Sequence, residues 1–290
     1  MADRPRFGPA GVPPFFRMIG AQLADVPVLL RQEGLDAFEY QAVRWGQKPQ
    51  MKQQDAEELK AEAEKNDVLL SLHGSYFINL CGKRDVVEAS KQRLIACATA
   101  AQWMGAYVVV FHTGFYGNAD KKEALRTCVK ELNDVAATMR TLGISVKLGP
   151  ETMGRHFQLG TLDEVLTLCE EVKQTHLVID WSHLHARSGG ALRSPKEFRE
   201  IVAKAEGKLG TEAVRNMHSH FSKIEFTYKT GERRHHVLDE PAYGPDFQML
   251  AEVIAEFNLR PVIICETPLL DVDAVKMRNM FLKLTKKGGL

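Results

Sequence analysis

The chain has 290 residues, of which 44% are hydrophobic and 26% charged, and its formal net charge is +1. These values lie in the ordinary range of globular proteins, and the length allows one large α/β domain or two of usual size. The charge excludes a strongly basic domain of the kind that coats nucleic acid, although a local basic groove can exist within a balanced total.

The cysteines and the N-terminus predict a cytoplasmic protein. Five cysteines are scattered along the chain without a Cys-x-x-Cys pair, which favours a reducing compartment. The opening MADRPRFGPAG lacks the apolar segment of a signal peptide. No apolar run approaches the roughly 18 residues of a membrane helix, so we expect no contact with a membrane.

Eight short apolar runs are predicted as β-strands, because β-branched and aromatic residues are frequent in them and polar residues, Gly or Pro bound them. In chain order they are RPRFGPA and residues 35–41, 67–74, 106–114, 145–152, 175–183, 215–222 and 260–267. Helices are predicted between them over residues 55–65, 85–105, 161–172, 194–207, 249–257 and 273–287. Thr161 with Glu164 forms a capping-box pattern at the start of one of these helices.

This alternation predicts a (β/α)8 TIM barrel, a single α/β domain over residues 1–290. The alternative is an open, doubly wound parallel sheet. That fold normally has fewer strand–helix units and a glycine-rich first turn, whereas the first turn here reads FGPAG rather than GxGxxG. The barrel is therefore favoured.

Histidines and carboxylates stand at the ends of consecutive predicted strands. A single histidine at a strand end is more often structural than functional, but the carboxyl ends of barrel strands meet at one face. Six strands in succession bring such a residue to that face, namely His73, His112, Glu151, Asp180 with His183, His218 with His220, and Glu266. We therefore predict a shared site at the C-terminal face of the barrel.

Imidazole and carboxylate donors without thiolate favour Zn²⁺ or Mn²⁺, with Fe²⁺ less favoured. One zinc takes about four ligands, so this many donors predicts two or three ions that share a bridging carboxylate. Clustered divalent ions are commonly used for phosphodiester hydrolysis. Neither a GxSxG nucleophile motif nor a P-loop occurs in the sequence.

The motifs around these residues resemble the endonuclease IV family of apurinic/apyrimidinic endonucleases, over about residues 30–287. The matching segments, in order and spacing, are HGSYFINL (73–80), FHTG (111–114), GPETMG (149–154), IDWSH (179–183), MHSHFSK (217–223) and CET (265–267). The resemblance implies a monomeric TIM barrel with three metal ions, usually zinc. The wider xylose isomerase-like superfamily also contains sugar isomerases and epimerases.

The resemblance also implies a ligand for each metal position. His73, His112 and Glu151 are expected to hold the first ion. Glu151 is expected to bridge to a second ion, completed by Asp180, His218 and Glu266, and the carboxylates Glu151, Asp180 and Glu266 are assigned the catalytic role. The third ion is expected at His183 and at His235, which lies in the predicted loop GERRHH.

The third site departs from the family pattern. The family usually has an Asp two residues before the loop histidine, where this chain has Arg233. We expect Glu232 to replace it, with His220 as another donor or as a group that supports a ligand; if neither serves, two ions remain and the nuclease is weaker. Tyr76, His220, Arg233 and Arg234 are predicted to bind substrate, the arginines through phosphates. Core packing for Tyr76 and a solvated loop for the arginines are the alternatives.

The predicted function is metal-dependent hydrolysis of the phosphodiester 5′ to abasic sites in damaged double-stranded DNA. The cofactor is Zn²⁺, as two or three ions, with Mn²⁺ as the alternative. A one-metal sugar or sugar-phosphate isomerase or epimerase of the same superfamily is the second hypothesis. A barrel that keeps metals only for structure is the third. The number of imidazoles, His183 and His235 in particular, favours the nuclease.

Overall fold

Parallel strands alternate with helices along the chain in the computed structural model, which describes residues 3–287. Two further strands form an antiparallel hairpin. The strands are β1 Arg6–Pro9, β2 Ala37–Gln41, β3 Leu69–His73, β4 Val108–Phe111, β5 Lys147–Pro150, β6 Val178–Asp180, β7 His218–Phe221, β8 Lys223–Thr227, β9 Gly231–His236 and β10 Val262–Cys265. All eight predicted strands are present, and the hairpin β8–β9 lies where a loop was predicted.

The helices are α1 Pro14–Met18, α2 Val26–Gln32, α3 Gln53–Lys65, α4 Arg84–Trp103, α5 Lys121–Thr141, α6 Leu162–Glu171, α7 Trp181–Arg187, α8 Pro195–Leu209, α9 Thr211–Arg215, α10 Phe247–Glu256 and α11 Asp271–Lys287. The six predicted helices are confirmed, and α6 begins with the predicted capping box. Helix α5 was not predicted, although Asp120 caps it and its buried positions recur at helical spacing.

The parallel strands close into a barrel. One four-stranded sheet has the order β1-β10-β7-β6 and the other has the order β2-β3-β4-β5. Parallel bridges join the two sheets at both seams, Ala10 with Glu39 and Glu151 with Val178. The prediction of a (β/α)8 barrel is confirmed, and the open doubly wound alternative is wrong because these bridges close the sheet on itself.

The layer between barrel and helices is apolar, with Phe38, Leu72, Phe111 and Phe221 buried there. The inside of the barrel is mixed. Small apolar clusters such as Val108, Val110 and Val178 lie there together with fully buried polar groups, among them Glu39, Ser71 and His218. Buried charges are rare unless paired, so these polar groups indicate a function beyond packing.

Strand β6 is shorter than predicted, because the chain turns into α7 directly after Asp180. The Asp180 carboxylate caps this helix, and its Oδ1 accepts a hydrogen bond from the His183 backbone N–H at 2.7 Å. His183 therefore lies in the first turn of a helix rather than on a strand. Across the described residues, no helix is both long and apolar enough to cross a membrane.

Candidate metal centre

A pocket of about 490 Å³ opens at the C-terminal mouth of the barrel. Its walls come from the loops that follow several strands and from the hairpin. They include Gln41, Tyr76, His112, Phe115, Met153, Arg155, His183, Glu232, His235 and Glu266. The predicted site residues therefore lie at the face where TIM barrels carry their active sites.

His73, His112 and Glu151 form the first donor cluster. The His73 Nδ1 lies 2.9 Å from the Gly74 carbonyl, so we assign the ring proton to Nδ1. His73 Nε2 lies 3.5 Å from Glu151 Oε2, and His112 Nε2 lies 3.1 Å from the same oxygen. Both imidazoles thus converge on one carboxylate oxygen.

Glu151, Asp180, His220 and Glu266 form the second cluster. His220 Nδ1 lies 2.9 Å from Glu151 Oε1 and 3.4 Å from Glu266 Oε1. Of the second oxygens, Asp180 Oδ2 is buried without a hydrogen-bond partner among the described residues, and Glu151 Oε2 has only the ring nitrogens of His73 and His112 beside it. Because an unpaired buried carboxylate oxygen is costly, these two atoms fit a site that binds a cation.

The structure places His220, not His218, in the second cluster. His218 Nδ1 lies 2.6 Å from the Tyr107 hydroxyl, and its Nε2 lies 3.1 Å from Glu39 Oε2. His218 and His220 point to the same inner face of the barrel because they are two residues apart on β7. His218 lies farther from the C-terminal mouth than His220 does. The structure thus brings His220 rather than His218 to Glu151 and Glu266, whereas His218 lies in a further donor group with Glu39 and His220. His220 is fully buried, so its predicted role in substrate binding is not supported.

His183, Glu232 and His235 form the third cluster. His183 Nδ1 lies 2.9 Å from the Thr152 carbonyl and His235 Nδ1 lies 2.9 Å from the Ser222 hydroxyl. His183 Nε2 lies 3.5 Å from Glu232 Oε2. Glu232, the residue that we expected to replace the family's Asp, does lie beside both histidines.

A β-bulge explains how Glu232 and His235 reach the same site. Residues three apart on a regular strand point to opposite faces. In the hairpin, however, Arg234 pairs with Glu225 and Glu232 pairs with Phe226, so the register shifts by one residue between them. The extra residue is Arg233, and the bulge restores a common face for the two donors.

Close packing against the loop after β5 holds the hairpin in place. The Glu232 backbone N–H donates to the Gly154 carbonyl at 3.2 Å. A Cβ on Gly154 would lie 2.7 Å from the Glu232 Cβ, so only glycine allows this approach. This contact accounts for the final glycine of the GPETMG motif.

Of the other predicted substrate-binding residues, Tyr76 lines the pocket, whereas Arg233 and Arg234 do not. The Tyr76 ring stacks on the His112 ring, with centroids 5.1 Å apart, and the residue is 51% exposed. It is therefore not a core residue. Arg233 pairs with Glu225 at 2.8 Å, and both Arg233 and Arg234 are exposed on the outer side of the hairpin.

The carboxylates dominate the electrostatics of the centre. Burial alone would lower the pKa of His183, but Asp180, Glu232 and Glu151 outweigh it and raise that pKa to about 10. Burial raises the pKa of Glu266 to about 8. The pKa of Glu151 is held well below its usual value by His220, His112 and His73, against the effect of burial. The donor set thus attracts positive charge, and a bound cation would displace protons from it.

Glu39 was not predicted as a site residue. It is fully buried on β2 and lies next to His218 and His220. The sequence did contain a signal for it, because Glu39 is the one charged residue between Ala37 and Gln41 and alternates onto the same face as both. A charge on the inner face of a buried strand was therefore detectable.

Two curated proteins resemble the chain in sequence. A 34% identical, uncharacterized protein of Methanocaldococcus jannaschii aligns over 280 residues, which is 96% of this chain and 97% of that protein. A probable endonuclease 4 of Ureaplasma urealyticum serovar 10 is 29% identical over 160 residues, 53% of this chain and 51% of that protein.

Solved structures agree in fold. Endonuclease IV from Thermus thermophilus superposes with a TM-score of 0.68 at 18% identity, covering 90% of this chain and 94% of that one. D-Psicose 3-epimerase from Clostridium cellulolyticum H10, solved with D-tagatose, gives 0.61 at 15% identity, with 89% and 93% covered. The family profile described as "Xylose isomerase-like TIM barrel" matches residues 28–280. The chain belongs to the xylose isomerase-like TIM barrel family.

Proposed function

We propose that the protein is a metal-dependent apurinic/apyrimidinic endonuclease, which hydrolyses the phosphodiester 5′ to an abasic site in duplex DNA. One observation carries the proposal: three of the donor clusters among the described residues each have a member that lines a single pocket, and two of these three share Glu151. A single ion needs only about four ligands, so this arrangement is suited to several ions, which is the usual arrangement for phosphodiester hydrolysis.

In this proposal His73, His112 and Glu151 hold one ion, and Glu151, Asp180, His220 and Glu266 hold a second. His183, Glu232 and His235 hold a third. Zn²⁺ fits these donors best, with Mn²⁺ as the alternative. Bound ions would supply Lewis-acid activation of the attacking water and neutralise charge on the phosphate.

The chain's own residues hold and orient this set. The Gly74 and Thr152 carbonyls fix the ring orientations of His73 and His183 through their Nδ1 atoms. Glu151, Asp180 and Glu266 are the carboxylates that face the reacting phosphate, and Glu151 connects two of the clusters. In this proposal Tyr76, which lines the pocket, contacts the sugar of DNA, and the exposed Arg233 and Arg234 contact its phosphates.

A sugar or sugar-phosphate epimerase is the second candidate. Glu151, Asp180, His220 and Glu266 alone make a carboxylate-rich set for one ion, with carboxylates available for proton transfer. The fold is also shared with the D-psicose 3-epimerase. This candidate leaves the cluster of His183, Glu232 and His235 without a role, and the nuclease is therefore preferred.

The test is cleavage of a labelled duplex that contains one tetrahydrofuran abasic analogue, by the zinc-loaded protein and after chelation. The analogue has no aldehyde, so β-elimination cannot imitate hydrolysis. We expect incision on the 5′ side, lost on chelation. Glu151→Gln should reduce it about 1,000-fold or more, because several kcal/mol of transition-state stabilisation depends on the bridging carboxylate.

Glu131→Gln is the matched control. Glu131 lies on α5 and pairs with Lys91 at 3.0 Å, away from the pocket, so this variant should cleave like the unmodified protein. If the metal-loaded protein does not incise the duplex, the nuclease proposal fails. Epimerisation of ketoses, followed by chromatography in the same preparations, would then support the second candidate.

A further inference from the structure

A line of buried polar side chains runs along the inside of the barrel, below the second donor cluster. Tyr107 Oη lies 2.6 Å from His218 Nδ1, and His218 Nε2 lies 3.1 Å from Glu39 Oε2. Glu39 Oε1 in turn lies 3.1 Å from His220 Nε2. His218, Glu39 and His220 are fully buried, so water does not satisfy these groups.

The contacts with Glu39 place a proton on Nε2 of each ring. A bare ring nitrogen at 3.1 Å from a carboxylate oxygen would be repelled, so the Nε2 atoms of His218 and His220 both carry hydrogen and donate to Glu39. His218 Nδ1 is then free to accept the Tyr107 hydroxyl proton. By the same argument His220 Nδ1, which lies 2.9 Å from Glu151 Oε1, carries a proton in the metal-free protein, and a bound cation would displace that proton and leave a lone pair.

That lone pair faces the donor cluster. His220 Nδ1 lies 2.9 Å from Glu151 Oε1 and 3.4 Å from Glu266 Oε1. The opposite tautomer would place a proton there and remove the nitrogen from the set of ligands. The position of one proton on His220 therefore decides whether the second cluster has four donors or three.

Glu39 is suited to hold that proton in place. Its two oxygens also accept from Ser71 Oγ at 3.0 Å and from Gln41 Nε2 at 3.1 Å, so the carboxylate receives four hydrogen bonds. A carboxylate accepts at both oxygens, whereas an amide of the same shape has one accepting oxygen and one donating nitrogen. A glutamine at this position would point its side-chain N–H at the Nε2–H of one of the two histidines, so that two donors would face each other.

We propose that Glu39 is a positioning residue that fixes His220 as an Nδ1 ligand. His218 donates a hydrogen bond to the other oxygen of Glu39, and Tyr107 holds the His218 ring in that orientation. The inference rests on the metal-binding part of the proposed function and not on the nuclease activity. A carboxylate that accepts a hydrogen bond from the other ring nitrogen of a ligating histidine raises metal affinity by roughly 10–100-fold.

The experiment measures zinc affinity and histidine tautomers in the full chain. Zn²⁺ is titrated in competition with a chromogenic chelator, and the ring nitrogens are read by NMR in protein labelled with ¹⁵N-histidine. For Glu39→Gln we expect the tightest zinc equivalents to weaken roughly 10–100-fold. In the zinc-loaded protein the ring spectrum of His220, assigned by its loss in His220→Gln, should change from one tautomer to a mixture.

Tyr107→Phe gives a second, milder test that keeps the carboxylate. It removes only the hydroxyl proton donated to His218 Nδ1, so we expect a few-fold loss of zinc affinity and a change confined to the His218 ring signals. Asp36→Asn is the control. Asp36 is a buried carboxylate that accepts from the Phe7 N–H just before the start of the same strand, and its loss should leave zinc affinity unchanged.

Unchanged zinc affinity and an unchanged His220 tautomer in Glu39→Gln would overturn the inference. If that variant does not fold, wild-type zinc affinity in Tyr107→Phe would overturn it instead. A loss of zinc affinity in a protein that never cleaves abasic DNA would support the inference while the nuclease proposal fails. The two proposals are thus separable.

Discussion

The two mouths of the barrel both carry histidines and a cavity, but they differ in their carboxylates. The N-terminal mouth has a cavity of about 440 Å³, and its described lining residues include Lys60, Tyr107, Lys147 and His176 but no Asp or Glu. At the C-terminal mouth His183 faces three carboxylates. Imidazole alone therefore does not make a metal site.

The difference in carboxylates also shifts the pKa values of His176 and His183 in opposite directions. Burial, together with the nearby His218, lowers the pKa of His176 to about 4. Burial acts on His183 as well, but Asp180, Glu232 and Glu151 raise its pKa to about 10. One mouth thus excludes positive charge and the other attracts it, although the side chain is the same.

The largest test of this contrast compares His183→Ala with His176→Ala. We expect His183→Ala to lose about one zinc equivalent and to cleave abasic duplex about 100-fold more slowly, because one group that stabilises developing charge is removed. His176→Ala should keep all its zinc. Metal content by elemental analysis, together with single-turnover cleavage, checks both. Equal metal loss in the two variants would contradict the contrast.

The second test is acid stability. Because the pKa of His176 is about 4 in the folded chain and about 6.5 when unfolded, the unfolded chain takes up the proton first as pH falls. Above about pH 6.5 the neutral His176 side chain makes its full contribution to the free energy of unfolding. This contribution is lost as the pH falls from about 6.5 to about 4. We expect the free energy of unfolding, measured with urea, to fall between about pH 7 and about pH 4.5 by about 2 kcal/mol less in His176→Gln than in the unmodified protein. An identical loss in both would show that His176 does not titrate in this way.

The third test follows zinc affinity with pH. With a pKa of about 10, His183 is protonated at neutral pH in the metal-free protein, so zinc must displace that proton. We expect the affinity of the weakest zinc equivalent to rise up to about tenfold per pH unit from about pH 7 to about pH 9. In His183→Ala the weakest zinc equivalent should no longer bind, and the pH dependence of zinc affinity should disappear with it. A flat profile in the unmodified protein would contradict the raised pKa.

The smallest effect concerns the cations at the two mouths. Arg234 is 71% exposed in its side chain on the hairpin, and Lys60 belongs to the opposite mouth. If DNA docks at the C-terminal mouth, Arg234→Ala should weaken duplex binding a few-fold and reduce the salt slope by about one. Lys60→Ala should change neither. Fluorescence anisotropy at several salt concentrations measures both variants, and equal effects would place the DNA elsewhere.

Much of the site could be predicted from local patterns. The residues His73, His112 and Asp180 were found because each follows or ends an apolar strand, and the structure brings them to one mouth. Lys147 shows the limit of this reasoning. Alternation places it on the same strand face as Glu151, but it begins β5 and lines the opposite cavity. Periodicity reports the face of a strand and not the depth along the barrel.

The sequence by itself determined the barrel and the donor types at the strand ends, since burial and alternation are local properties of short segments. Only the tertiary structure decided which donors meet. His220 rather than His218 joins the second cluster because β7 pairs it beside Asp180 of β6. A bulge brings Glu232 to His183, and Glu39 lies across the barrel from β7. Such choices depend on register between strands far apart in the chain, and no single segment carries that information.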